Sequence, residues 1–172
     1  LEEGPVCPIP LPHSERIVMG HGSGGKMSHD LISGMFQPYF DNPILRRGDD
    51  AGAVELSSGE RLAISTDSHV VSPLFFPGGD IGRLAVCGTV NDVSMLGARP
   101  LYLTAGFILE EGLEMAVLEQ VVQSMKAAAA EAGISIVAGD TKVVQHGKAD
   151  RLYINTAGVG ILDTTHVIGG SQ

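Results

Sequence analysis

RPLYLTAGFILEEGLEMAVLEQVVQSMKAAAAEAGISIVA, residues 99–138, reads as strand, helix, strand. Arg99–Ile108 is rich in apolar residues bounded by turn signals, as a strand should be. Leu113–Ala132 places Val117, Leu118, Val121, Val122 and Met125 on one helical face, and Gly133 stops it. Ser135–Ala138 resumes as a strand. Working outward, Ile81–Leu96 is small and apolar, the composition of a buried helix, opened by Gly78-Gly79-Asp80 and closed by Gly97. Before it, Ala51–Leu56 and Arg61–Thr66 flank Ser57-Ser58-Gly59-Glu60, a hairpin turn. Lys26–Phe36 has helical spacing through Met27, Leu31, Ile32, Met35 and Phe36. After residue 138, a polar turn at Gln145–Asp150 leads into a last strand, Leu152–Leu162. This order predicts an α+β fold: a mainly antiparallel sheet of four or slightly more strands, with two long helices on one face. The opposite, half-apolar face is left uncovered and calls for self-association or a second domain.

The bulk numbers agree with one folded domain. In 172 residues, 44% are apolar and 18% charged, which excludes disorder. The net charge of −9 argues against a nucleic-acid or anionic-membrane partner. The two cysteines, Cys7 and Cys87, have no CxxC spacing, so neither a disulfide framework nor a zinc knuckle is expected. No apolar run is long enough to span a membrane and no secretory leader is evident, so a cytoplasmic setting is expected. Residues 1–19 read as a leader with Pro5, Pro8, Pro10 and Pro12 followed by a short strand, 20–162 as the domain proper, and 163–172 as the start of a connection to a second domain absent here.

Four acidic segments stand where strands and helices hand over to loops: Gly48-Asp49-Asp50, Ser65-Thr66-Asp67-Ser68-His69, Asn91-Asp92 and Gly139-Asp140-Thr141-Lys142. Carboxylates beside buried elements cost desolvation unless something cationic gathers them. Hard oxygen ligands suit Mg²⁺, which commonly arrives with nucleotide phosphates. A glycine loop, Gly20-His21-Gly22-Ser23-Gly24-Gly25-Lys26-Met27, satisfies both GxxxxGK and GxGxxG. A P-loop needs Ser or Thr where Met27 stands, and a dinucleotide fold needs an acidic strand end where Asp41 lies in a turn. The loop reads instead as a lid whose amides and Lys26 close over phosphates brought by other elements, or as a plain surface loop.

Taken in order, these segments resemble the aminoimidazole ribonucleotide synthetase-like superfamily of ATP enzymes, which includes selenophosphate synthetase and thiamine-monophosphate kinase. The resemblance rests on His21–Gly25, Ser65–Val71, Pro73–Gly82, Gly88–Val93, Gly106–Gly112, Gly139–Val144 and Ile154–Gly158. Pro73-Leu74-Phe75-Phe76-Pro77-Gly78-Gly79 and Gly139-Asp140-Thr141-Lys142-Val143-Val144 make the chain most similar to the carbamoyl dehydratases of hydrogenase maturation. That resemblance implies an enzyme using ATP and Mg²⁺ to dehydrate an S-carboxamide on its own C-terminal cysteine to a thiocyanate, the source of cyanide ligands for [NiFe] hydrogenase. It implies a homodimer whose sheets combine into a closed barrel, with nucleotide in clefts beside it. The implied partners are a carbamoyltransferase and scaffold proteins of hydrogenase maturation. Neither Cys7 nor Cys87 matches the family's tail cysteine, so the chain reads as the N-terminal ATP-binding domain. Other readings are a related small-molecule kinase or synthetase, or a docking and dimerisation module that binds no nucleotide.

Asp67 and Asp92 are the leading Mg²⁺ ligands, because both border apolar elements where an unpaired charge is costly. Asp50 and Asp140 complete the set. One extra residue in Asp49-Asp50-Ala51-Gly52-Ala53-Val54, relative to the superfamily pattern, leaves Asp49 and Asp50 as alternatives. The alternatives are a capping or salt-bridged carboxylate for Asp92 and a plain turn aspartate for Asp140. Lys142 shares a strand face with Asp140 and would neutralise charge on transferring oxygens, unless it merely pairs with Asp140. Lys26 is the second cationic candidate, or a solvated surface lysine. Asn91, His69, Thr141, Gly22, Gly24 and Gly25 are expected at the nucleotide, with His21 on the border of the same region.

Overall fold

The computed structural model describes residues 16–163. The proline-rich leader with Cys7 and the tail from Thr164 lie outside the described residues. The chain divides into two units at Arg46/Arg47. In the first, Ile17 and Val18 form no strand; a single 3-10 turn covers Met19–Gly22. Helix α1 (Lys26–Leu31) passes through a π turn at Ile32–Phe36 into α2 (Gln37–Phe40). The expected single helix is interrupted because Ser33 Oγ donates to the His29 carbonyl at 2.8 Å, a side-chain bond that competes with the helical ladder.

The second unit carries β1 (Gly52–Glu55), β2 (Arg61–His69), the short ribbon β3 (Phe75–Phe76) and β4 (Gly79–Asp80), then α3 (Ile81–Met95). It continues with β5 (Arg99–Glu110), α4 (Met115–Glu131), β6 (Ser135–Val144) and β7 (Leu152–Ile161). The fold is α+β, with a mixed five-stranded sheet in the order β1-β2-β7-β5-β6. The pairings β1–β2, β2–β7 and β7–β5 are antiparallel. β5 and β6 are parallel, which the sequence reading did not foresee. A parallel neighbour requires a crossover connection, and α4 supplies it. β6 also runs past Ala138 to Val144, so Gly139, Asp140 and Lys142 are strand residues, not a turn.

α3 lies on the sheet against β2, β7 and β5, and α4 packs against α3. Alternation decides which side chains meet the helices. Leu152, Ile154, Thr156, Gly158 and Gly160 of β7 are buried beneath α3, as are Ala63, Ser65 and His69 of β2. The approach is close: a Cβ on Gly160 would lie 2.5 Å from Val93 Cγ1 and 2.8 Å from the Arg99 carbonyl oxygen. Asp80 caps α3, its Oδ1 accepting from Gly82 N at 2.7 Å and Arg83 N at 3.1 Å, while Oδ2 accepts from Ser124 of α4. Such a cap contributes about 1 kcal/mol. The main core joins Ile81, Val86, Leu103, Val121, Met125, Leu152 and Ile154. On the opposite sheet face, Ile64, Tyr102 and Ile108 are 44%, 50% and 43% exposed. Among the described residues no helix is long and apolar enough to cross a membrane.

Candidate nucleotide site

Strand β2 sets Ser65, Asp67 and His69 on its helix-facing side by its two-residue period. α3 brings Gly88 and Asp92, one turn apart, over them. Ser65 Oγ lies 2.9 Å from Asp92 Oδ2 and 3.2 Å from the Asp50 carbonyl oxygen. Its proton belongs to the charged partner, where the hydrogen bond is stronger. Burial pushes the Asp92 carboxyl above its ordinary range; the Ser65 hydrogen bond opposes this, while the Asp67 and Asp50 carboxylates reinforce it. Ser65→Ala is expected to cost about 2 kcal/mol, by removing one charge-assisted hydrogen bond; urea unfolding checks it.

His69 is 5% exposed, with Nε2 3.5 Å from Asp67 Oδ2. Burial holds its pKa down, against the opposing pull of Asp67 and Asp92. A depressed histidine pKa means that the unfolded chain takes up this proton first. The stability linked to it is complete above the ordinary value of 6.5 and is lost as pH falls below it. His69→Gln is expected to flatten that part of the stability profile, measured by urea unfolding from about pH 7.5 to 5.

Across the sheet, register aligns Ser68, Asn155, Gly106 and Asp140 in one row. This row lies on the face away from α3. Asn155 Nδ2 donates to the Asp67 carbonyl and to Ser68 Oγ, both at 3.0 Å, and so ties β7 to the end of β2. Lys142 Nζ sits 3.0 Å from Asp140 Oδ1 and 2.9 Å from Oδ2, with the two side chains 70% and 68% exposed. Hydrogen bonds from Lys142 and from the Thr141 backbone N–H hold the Asp140 carboxyl below its usual range. A cleft of about 370 Å³ opens here, lined by Ser68, His69, Ile108, Asp140, Lys142 and Asn155 among others.

The expected residues therefore fall into three places. Asp67, Asp92, His69 and the backbone of Asp50 gather beneath α3, and the Asp50 charge acts on Asp92. Asp140 and Lys142 stand on the opposite sheet face. Thr141 pairs with Phe107, on the helix-side row, and is exposed. Asn91 is exposed on α3, turned from Asp92 by one helical step. The Asp49 side chain is 8% exposed, 3.7 Å from Arg47 Nε, whereas Asp50 is exposed. Within the first unit, Lys26 pairs with Asp30 at 2.6 Å, His21 Nδ1 accepts from Val18 N–H at 3.0 Å, and Gly24 N–H donates to Ser28 Oγ at 2.9 Å. Gly22 and Gly25 flank that loop with open space where a Cβ would be. Among the described residues no three His, Cys, Asp or Glu side chains converge closely enough to hold a metal ion. The sequence reading missed Ser65, although its two-residue spacing from Asp67 signalled a shared face. Thr156 and Thr89 gave no such signal.

Residues 48–162 match the family described as AIR synthase related protein, N-terminal domain. The chain belongs to this family. As an AIR synthase related N-terminal domain, it is 55% identical over 158 residues to the carbamoyl dehydratase HypE of Cupriavidus necator, covering 92% of this chain and 45% of that protein. A HypE structure solved as a HypE-HypF complex aligns with TM-score 0.73 and 55% identity, over 80% of this chain and 44% of that one. A HypE structure in complex with ATP aligns with TM-score 0.60 and 59% identity, over 87% of this chain and 44% of that one. The domain thus spans a little under half the length of these relatives. All five candidate aspartates and Lys142 fall inside the family match, while the Gly20–Lys26 loop lies outside it.

Proposed function

We propose that this chain is the ATP-binding and dimerising N-terminal domain of a HypE-like carbamoyl dehydratase. The reaction of the whole protein would transfer the γ-phosphoryl group of ATP to the oxygen of an S-carboxamide on a C-terminal cysteine. With ADP released, loss of phosphate and of the two amide protons would leave the thiocyanate that supplies cyanide to [NiFe] hydrogenase. The observation that carries the reading is the pair of Asp67 and Asp92 under α3, where Asp92 is partly buried and the Asp67 and exposed Asp50 charges both act on it. Negative charge only partly relieved by Ser65 is what a divalent cation with its phosphates would offset. The similar HypE structure in complex with ATP supports a nucleotide as its source.

The donor chemistry fits Mg²⁺: the groups are hard oxygens, and Asp92 carries the electrostatic cost that a cation would remove. Asp67 and Asp92 would hold it with the Asp50 region, leaving phosphate oxygens and water to complete its shell. When bound, Mg²⁺ would supply charge neutralisation at the phosphates. The chain's own part is to orient: Ser65 fixes Asp92, and the Ser68 backbone N–H fixes Asp67 Oδ1 at 2.8 Å. Lys142, paired with Asp140 on the opposite sheet face, would meet phosphoryl oxygens only of a nucleotide that reaches round the sheet from the Asp67–Asp92 side, and Thr141 and Asn91 are the neutral polar candidates. Lys26, Gly22, Gly24 and Gly25 of the first unit are the remaining phosphate-binding candidates. Asp67→Asn is expected to abolish the rise in melting temperature that Mg-ATP gives the wild type; a full rise in the variant contradicts the assignment.

The sheet's uncovered face supports a homodimer, with Ile64, Tyr102 and Ile108 meeting a second copy to close a barrel. Ile108→Lys would bury a charge in that interface and is expected to shift sedimentation from dimer to monomer. The carbamoyltransferase partner is supported by the similar HypE-HypF complex, and scaffold proteins of hydrogenase maturation would follow from the same role.

A further inference from the structure

We infer that His69 is a positioning residue for Asp67, itself held by a buried pair of hydroxyls, Thr156 and Thr89. The inference rests on Asp67 belonging to the nucleotide site. His69 Nε2 lies 3.5 Å from Asp67 Oδ2 and 3.4 Å from Thr156 Oγ1. The carboxylate at ion-pair distance favours a proton on Nε2, and the contact with Thr156 requires it once the Thr156 proton is given to Ala85. Thr156 Oγ1 is 3.1 Å from the Ala85 carbonyl oxygen of α3, to which it donates, and 2.6 Å from Thr89 Oγ1. Its one proton is thereby used, and its lone pairs receive Thr89 and His69. The directions of the network follow from this count. Thr89 and His69 donate into Thr156, Thr156 donates into the helix, and His69 also faces Asp67.

Asp67 is then met at both oxygens, the single Nε2 proton being shared between Thr156 Oγ1, its hydrogen-bond acceptor, and the Asp67 carboxylate at ion-pair distance. Oδ1 accepts from the Ser68 backbone N–H, and Oδ2 faces the imidazole. Space for this is left by Gly88, where a Cβ would stand 3.0 Å from His69 Cε1 and 3.1 Å from Asp67 Oδ2. Thr89 and Thr156 are fully buried, a place where apolar residues of the same shape would pack without desolvation cost. A hydroxyl pair aimed through an imidazole at one carboxylate has a use if that carboxylate must be held still. Outer partners of this kind typically set a metal site's affinity by about 10–100-fold.

The test is Mg-ATP affinity, by calorimetry on the full 172-residue chain, for paired variants. Thr156→Val keeps the shape and removes the hydroxyl, while Thr156→Ser keeps it. His69→Leu removes the donor, while His69→Gln keeps one. Thr156→Val and His69→Leu are expected to weaken binding about tenfold, with Ser and Gln restoring most of it. Asp67→Asn is run beside them. If Asp67→Asn binds less well but His69→Leu and Thr156→Val bind as the wild type, the positioning role is overturned and the nucleotide site stands. If Asp67→Asn itself binds normally, Asp67 leaves the site and the positioning role falls with it. Should Thr156→Val fail to fold, the Leu and Gln variants of His69 carry the same comparison.

Discussion

Asp92→Asn is expected to raise the melting temperature of the nucleotide-free chain at neutral pH while weakening Mg-dependent ATP binding by about tenfold or more. The two effects have one cause. Burial, with Asp67 and Asp50 nearby, raises the Asp92 pKa above that of the unfolded chain. A carboxyl with a raised folded pKa costs nothing below its unfolded value, where both states are protonated. It destabilises increasingly as pH rises through the window between the two values, because ionisation then favours the unfolded chain. Asparagine removes that penalty and still accepts the Ser65 hydrogen bond, so its advantage should vanish on acidification. The charge it removes is the one proposed to meet the cation. Thermal melts at neutral and acidic pH, with and without Mg-ATP, read both effects. A variant that is less stable than wild type at neutral pH would contradict the electrostatic account.

Gly160→Val should be among the most damaging single changes in the second unit. The new Cβ alone would stand 2.5 Å from Val93 Cγ1 and 2.8 Å from the Arg99 carbonyl oxygen, and the latter is backbone that cannot swing aside. Overpacking of this kind costs about 3 kcal/mol. For a chain of this size that is roughly 6–12 °C in Tm. Gly22→Ala, with nothing within 4 Å of the added Cβ, is the control and should shift stability by less than about 0.5 kcal/mol. Because α3 rests on Gly160 and carries Asp92, a surviving Gly160→Val chain should also bind Mg-ATP less well. Unfolding curves of the two variants separate the expected from the contrary result, which is equal stability.

Much of this architecture could be read from residue patterns. The apolar stripe through Val117, Val121 and Met125 located α4, and the small, apolar run from Ile81 located α3. What the sequence concealed was pairing. Ser135–Ala138 looked short, because Gly139-Asp140-Thr141 has turn composition; tertiary pairing with β5 overrides that and extends β6 to Val144. That extension places Asp140 and Lys142 on the sheet face away from Asp67 and Asp92. Period alone could put Lys142 beside Asp140, and the two do pair at 2.9 Å. It could not assign either to a face of the whole sheet, because that depends on strand order. The Thr89–Thr156 hydroxyl contact joins residues 67 positions apart and has no local signature.

The central claim is that the carboxylates under α3 serve a Mg²⁺-bound nucleotide. Calorimetric titration of this chain with ATP, with and without Mg²⁺, tests it most directly. The account predicts saturable binding that requires Mg²⁺. Binding that is absent from a folded sample, or that is equally strong without the metal, would contradict it.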